Sequence, residues 1–261
     1  MRGTTACRPQ SEPRRPLVRS RSMMKTKAIA VLILSLTFAG SSILVPFGGF
    51  DPNQFPVPQD NPPVQPAGYA FAIWGLIYLW LIGSAGIGVW KHAEDPAWDA
   101  PRLPLILSLA VGSIWLPVAS QSAEWATILI WIMLITALWA AMRAPDGTRW
   151  SFAGPLALYA GWLTAASSVS IGLIGAGYGI GPDQEAWAVI AIGIALVVFG
   201  AALPRVTAPL LYAAAIAWAL IAVAVKDIDQ MSFVALAALG CAVAVAFAAI
   251  KRHRASRSAA A

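Results

Sequence analysis

From residue 28 onward, long apolar runs alternate with short polar segments, and the run lengths decide what they are. A helix rises about 1.5 Å per residue, so about 20 apolar residues cross roughly 30 Å of hydrocarbon. Eight runs qualify, near 28–46, 70–90, 103–119, 125–142, 152–174, 187–203, 208–225 and 232–250. The stretch 103–142 is two spans: as one helix it would be about 60 Å long, twice the core thickness. Pro117 followed by Ser120, Gln121, Ser122 and Glu124 marks the break. The expected fold is an all-α integral membrane protein of about eight transmembrane helices.

Composition sharpens this. The 261 residues are 59% hydrophobic and 11% charged, against about 45–50% and about 25% in an ordinary soluble domain, which excludes a soluble enzyme. Cys7 and Cys241 have no CxxC spacing and no nearby histidine, so they read as inert thiols; His92 and His253 sit beside lysine or arginine at the ends of apolar runs, which suits a solvated or headgroup role. There is no Walker loop, Asp-rich metal motif or nucleophile set, and no Asp, Glu, Lys, Arg or His falls within any of the eight runs. Intramembrane ionisable groups mark proton relays and ion-coupled transport, so neither an enzyme nor a proton-coupled pump is expected.

Charge sets orientation. With the N-terminus inside, every lysine and arginine except Lys226, 17 of the 18, falls on cytoplasmic segments, which supports an even number of spans with both termini cytoplasmic in the cell membrane. Lys226 lies beside Asp227 and Asp229. Residues 1–22 carry six arginines and one glutamate, +5 of the net +6. The basic tail, 1–27, is low in apolar content at its start and reads as disordered, orienting the protein rather than binding nucleic acid. Met23 or Met24, just before Lys25, are candidate translation starts. The first apolar run has the small residues of a signal peptide, but about 19 residues favour a retained span. A basic tail, 251–261, closes the chain.

The polar segment 47–69 carries prolines at 52, 56, 58, 62, 63 and 66. Proline fixes φ and removes a donor, so the segment is expected to be a stiff, extended external strap without helix. About 20 residues exceed what two antiparallel helices need, which suits a lid over a cavity. The strap runs into a segment where Phe71, Trp74 and Tyr78 fall within about 60° on one helix face, with Trp80 opposite. On the fifth span Tyr159, Trp162, Ala166 and Ser170 share a face of about 80°. Trp74 and Trp115 lie about 6 Å below the strap-side boundary and Tyr78 about 12 Å, with Trp162 nearer the midplane as a floor.

These residues resemble a known family. The PxGYxF segment (Pro66, Gly68, Tyr69, Phe71), the following Trp74 and Leu76-Ile77-Tyr78, and the later LYxxW (Leu158, Tyr159, Trp162) with small residues after it, are similar to the TspO/MBR family of tryptophan-rich sensory proteins, related to the translocator protein. The twelve tryptophans fit that name. The resemblance covers residues 28–175 and implies a five-helix bundle that binds porphyrins or sterols. Carried over, it implies ligand contact at Phe71, Trp74, Tyr78, Trp115, Tyr159 and Trp162, with Ala166 on the same face. Leu158 stands where the family has proline, and the family's asparagines are absent, with Ser170 at one of their places. The cholesterol-recognition pattern of animal members is also missing, so a porphyrin or related tetrapyrrole is the implied ligand and no cofactor is required.

Ordinary helix packing competes with ligand contact for the same aromatics, and Trp90, Trp98, Trp125, Trp150 and Trp187, near span ends, read as interfacial belt residues. The three spans from Trp187 on, within 176–250, lie outside the resemblance and suit a packing extension or a homodimer surface. Three functions are open: a sensory or ligand-binding protein for a planar hydrophobic molecule, a facilitative transporter for a small hydrophobic substrate, and a purely structural membrane protein.

Overall fold

The computed structural model describes residues 17–45, 47–226 and 232–258. All regular structure among them is helical: α1 (Leu17–Leu44), α2 (Ile73–Trp90), the short α3 (Pro96–Asp99), α4 (Arg102–Ala119), α5 (Ala123–Arg143), α6 (Gly154–Gly177), α7 (Gln184–Ala202), α8 (Pro209–Lys226) and α9 (Phe233–Ser258). Eight helical segments are long and apolar enough to span a membrane, and they coincide with the eight expected runs. The chain is a multi-pass membrane protein. Helix starts follow from capping side chains: Asp95 accepts from Ala97 N–H at 2.9 Å, Ser122 from Trp125 N–H at 3.2 Å and Asp183 from Ala186 N–H at 2.9 Å, each satisfying a donor that the first turn leaves open.

α6 is the centre of the bundle, with all but a few of its side chains buried. Lipid is as apolar as leucine, so helices there associate through close packing and interhelical hydrogen bonds. Both are present. A Cβ at Gly161 would collide with the Tyr212 carbonyl of α8, so glycine is what lets α6 and α8 touch along their backbones. The Tyr159 hydroxyl lies 2.9 Å from Ser108 Oγ of α4, and Ser108 Oγ lies 2.9 Å from the Met133 carbonyl of α5. Tyr212 and Thr164 pair at 3.0 Å, linking α8 to α6.

At the face that carries the termini, Arg102 is only 2% exposed. Its guanidinium donates to the carbonyls of His92 (2.6 Å), Ala93 (3.0 Å), Met24 (3.2 Å) and Gly88 (3.4 Å) and lies 3.6 Å from Asp99, which Lys27 also engages at 2.7 Å. Trp98 is 3% exposed, stacked between His92 at 4.1 Å and Phe152 at 4.4 Å.

Several expectations are corrected here. Residues 17–27, expected in a disordered tail, form the first turns of α1, because no proline or glycine interrupts the chain between Pro16 and Gly40 and Arg21 and Lys25 find Glu94. Arg102, counted as a loop charge, is a buried residue at the head of α4. Trp98 and His92 are packed against one another rather than spread at the interface, whereas Trp90, Trp125 and Trp150 are exposed as belt residues should be. The strap contains a 3-10 turn, Pro52–Gln54, because proline is tolerated in a first turn whose N–H has no partner, and Asp51 caps it; its end enters a second, Gly68–Ala72, that leads into α2. Cys7, the tail through residue 16, Asp227 and Asp229 lie outside the described residues.

Candidate ligand chamber

The strap closes one end of the bundle and is tied down along its length. Its first half is held by Gln54 Nε2 donating to the Ala119 carbonyl (3.1 Å) and Val57 N–H to the Gly177 carbonyl (2.9 Å), with the Phe55 ring seated where any side chain at 177 would stand. Its second half is held by α8: Lys226 Nζ donates to the Pro62 carbonyl (2.7 Å), Ala67 N–H to Ala222 (3.1 Å) and Trp218 Nε1 to Ala70 (3.0 Å), and Tyr69 meets Trp218 edge to face at 5.5 Å.

Beneath the strap is an apolar chamber of about 60 Å³. Phe71 and Trp74 of the α2 entry, Trp115 of α4, and Trp162, Ala166 and Ser170 of α6 line it, with Phe47 and Phe50 from the strap. Ala219 and Val223 of α8 complete the wall. No charged side chain lines it, and its polar lining is Gln65, Ser170 and the indole N–H groups. A second cavity of about 330 Å³ adjoins it between α1, α2 and α4, sharing Phe47, Phe71, Trp74 and Trp115 and adding Phe38, Ser42, Gly75 and Tyr78. Gly75 is exposed, so this cavity reaches the lipid-facing side.

The rings pack mostly edge to face, the arrangement their quadrupoles prefer. Phe38 meets Tyr78 at 5.0 Å, Trp74 at 5.6 Å and Tyr159 at 5.9 Å; Phe71 and Trp74 each meet Trp162 at 6.1 Å. Trp74 and Tyr78 stack at 5.4 Å. Trp115 is fixed by donating from Nε1 to the Ala126 carbonyl at 2.8 Å.

Of the seven residues singled out in sequence, Phe71, Trp74, Trp115, Trp162 and Ala166 line the chamber together. Tyr78 lines the adjoining cavity instead. Tyr159 lines neither: it is fully buried behind Phe38 and spends its hydroxyl on Ser108, so its place on the α6 stripe serves helix packing. Phe38, Phe47, Phe50 and the α8 pair Ala219 and Val223 were missed. The alanine stripe of α8, facing the small residues of α6, is the signal that could have placed α8 at the wall. Trp187, read as a belt residue, packs over Gly175 and donates to the Ile180 carbonyl at 2.7 Å.

The architecture defines a helical membrane protein with an aromatic chamber under a proline-rich strap. The family model described as TSPO-like protein matches residues 25–251. The chain belongs to that family. The match runs through all eight spans, so the likeness does not stop at residue 175. No curated protein and no solved structure matches the chain.

Proposed function

We propose that the chain is a ligand-binding or sensory membrane protein that takes a planar hydrophobic molecule, porphyrin-like, into the aromatic chamber, without catalysis. The single observation that carries this is the shared wall of Phe47, Phe71, Trp74 and Trp115 between the two cavities. Small-molecule sites span about 300–1,000 Å³; the chamber alone is too small for such a guest, the adjoining cavity of about 330 Å³ reaches that range, and a shift of those rings would join the two. Flat indole and phenol faces suit a flat partner. The positive charge gathered at the termini face supports termini in the cytoplasm and the strap outside. In this reading α1, α2, α4, α5 and α6 are the binding bundle and α7–α9 an extension that lends α8 to the wall.

The test is a titration of the detergent-purified protein with protoporphyrin IX, following tryptophan fluorescence. Saturable micromolar quenching, weakened in Trp74→Leu and Trp162→Leu but not in the exposed control Trp150→Leu, is expected. Unsaturable quenching equal in all variants would mean partition into micelles and would overturn the reading.

A further inference from the structure

We infer that the molecule held in the chamber carries a hydrogen-bond acceptor on its rim, and that the Trp162 Nε1–H is the donor that selects it. This rests on the chamber being a binding site for a planar hydrophobic molecule, and it adds the chemical class of that molecule.

Trp162 is 2% exposed and stands in the chamber wall, yet its Nε1 has no hydrogen-bond partner. Other indoles in the bundle are capped by backbone carbonyls: Trp80 by Trp150 at 2.9 Å, Trp115 by Ala126 at 2.8 Å, Trp187 by Ile180 at 2.7 Å and Trp218 by Ala70 at 3.0 Å. Ser and Thr hydroxyls of α6 reach carbonyls of their own helix, as Thr164 does to Ala160 at 2.9 Å, but the Trp162 N–H reaches none there or on a neighbouring helix. Buried polar atoms are almost always paired, and one left unpaired calls for a specific account. Trp131 Nε1 of α5 is a second unpaired indole nitrogen, but Trp131 lines neither the chamber nor the adjoining cavity.

Of the chamber's other polar groups, Ser170, Gln65 and Trp115 are engaged, and Trp74, whose N–H bonds to no protein group, is only partly buried and opens on the adjoining cavity. Ser170 Oγ donates to the Ser167 carbonyl at 2.8 Å, Gln65 Nε2 to the Gly48 carbonyl at 3.5 Å, and Trp115 is capped as above. Trp162 is therefore the buried, unpaired donor of the lining. The rings that lean on it, Phe71 and Trp74, are the same rings that separate the chamber from the adjoining cavity. A flat molecule that moves them aside arrives beside the indole edge. A hydrocarbon guest leaves the N–H unpaired in a dry site, whereas a carbonyl or carboxylate oxygen, or a ring nitrogen lone pair, satisfies it. Sites built around a buried polar group discriminate on that group far more sharply than apolar sites discriminate on size.

Fluorenone and fluorene test this, being flat tricyclic probes that differ by a carbonyl in place of a methylene. Calorimetric titration of the full chain in detergent should show fluorenone bound about tenfold more tightly than fluorene. Trp162→Phe, which keeps an aromatic body and removes the donor, should reduce that ratio to about one. In ¹⁵N spectra one indole resonance, the one absent from Trp162→Phe, should move downfield with fluorenone and stay in place with fluorene. Equal binding of the two probes by the unmodified protein, or an unchanged ratio in Trp162→Phe, would overturn the acceptor inference and leave the chamber standing as a site. Failure of both probes to bind would overturn the chamber and the inference together. Should Trp162→Phe not fold, the probe ratio and the indole shift of the unmodified protein decide.

Discussion

The two ends of the bundle treat their buried donors in opposite ways. At the termini end, the most costly group in the molecule, the Arg102 guanidinium, is surrounded by four carbonyls and Asp99, and Trp98 is stacked on both faces. At the strap end, the Trp162 indole is left without an acceptor beside empty space. An unpaired buried donor costs about 1–3 kcal/mol. A fold that pairs its hardest group at one end tolerates this cost at the other only because the bundle as a whole is held elsewhere. The contrast teaches where the anchoring sits: α1, α2 and α4 are tied together through Arg102 near the termini, whereas further along they flank a cavity.

The sharpest way to break this comparison is at Arg102. Arg102→Leu strips the hydrogen-bonded charge from four carbonyls and leaves Asp99 with Lys27 alone. Removing one partner from a buried charged network costs about 3–5 kcal/mol. The expected outcome is a drop of that order in unfolding free energy, read by steric trapping or denaturing detergent, with the strap still protected until global unfolding. A loss below about 1 kcal/mol would mean that the termini end is not the anchor.

A smaller effect is expected at the latch. Trp218→Phe removes the hydrogen bond to Ala70 and keeps most of the ring that meets Tyr69. One neutral hydrogen bond is worth about 0.5–1.5 kcal/mol net, so global stability should fall by no more than that. Cleavage of the strap by proteinase K should rise several-fold, because the second half of the strap hangs on α8 at three places and loses one. Loss of stability on the Arg102 scale would erase the distinction between the two ends.

Much of this architecture was legible in the sequence, and the part that was not shares one cause. Eight spans follow from run length, and the Phe71, Trp74 and Trp162 wall follows from helical spacing, since both depend only on local geometry. The burial of Arg102 was not legible because a charge at the first residue of a helix is indistinguishable from a loop charge by hydropathy, yet its side chain turns inward to carbonyls brought by α1 and the 91–101 loop. Ala219 and Val223 were missed because α8 is apolar all round, so its alanine stripe is not set off by polar residues on the other side. Tyr159 shares its stripe with Trp162 but lies deeper, where Phe38 from α1 covers it, a contact between distant segments that no single-helix pattern contains.

The smallest effect lies in the outermost contact of the termini end, and it fixes how far the anchoring extends. Glu94 is held by Lys25 at 2.7 Å and Arg21 at 3.7 Å, and the hydrogen bond from Lys25, with the charges of both, keeps its carboxyl below the ordinary glutamate range. A carboxyl whose pKa is lower folded than unfolded adds stability that is fully present above the unfolded value, about 4.3, and disappears as pH falls through the folded value. Stability measured from pH 7 down to pH 3 should therefore lose a small increment in the acid limb that Glu94→Gln lacks. The pair is exposed, so the increment should shrink as salt is raised. If Glu94→Gln instead lowers stability at pH 7 by as much as Arg102→Leu, the first turns of α1 belong to the anchor itself. If it changes only the acid limb, the anchor ends at the Arg102 carbonyl cage.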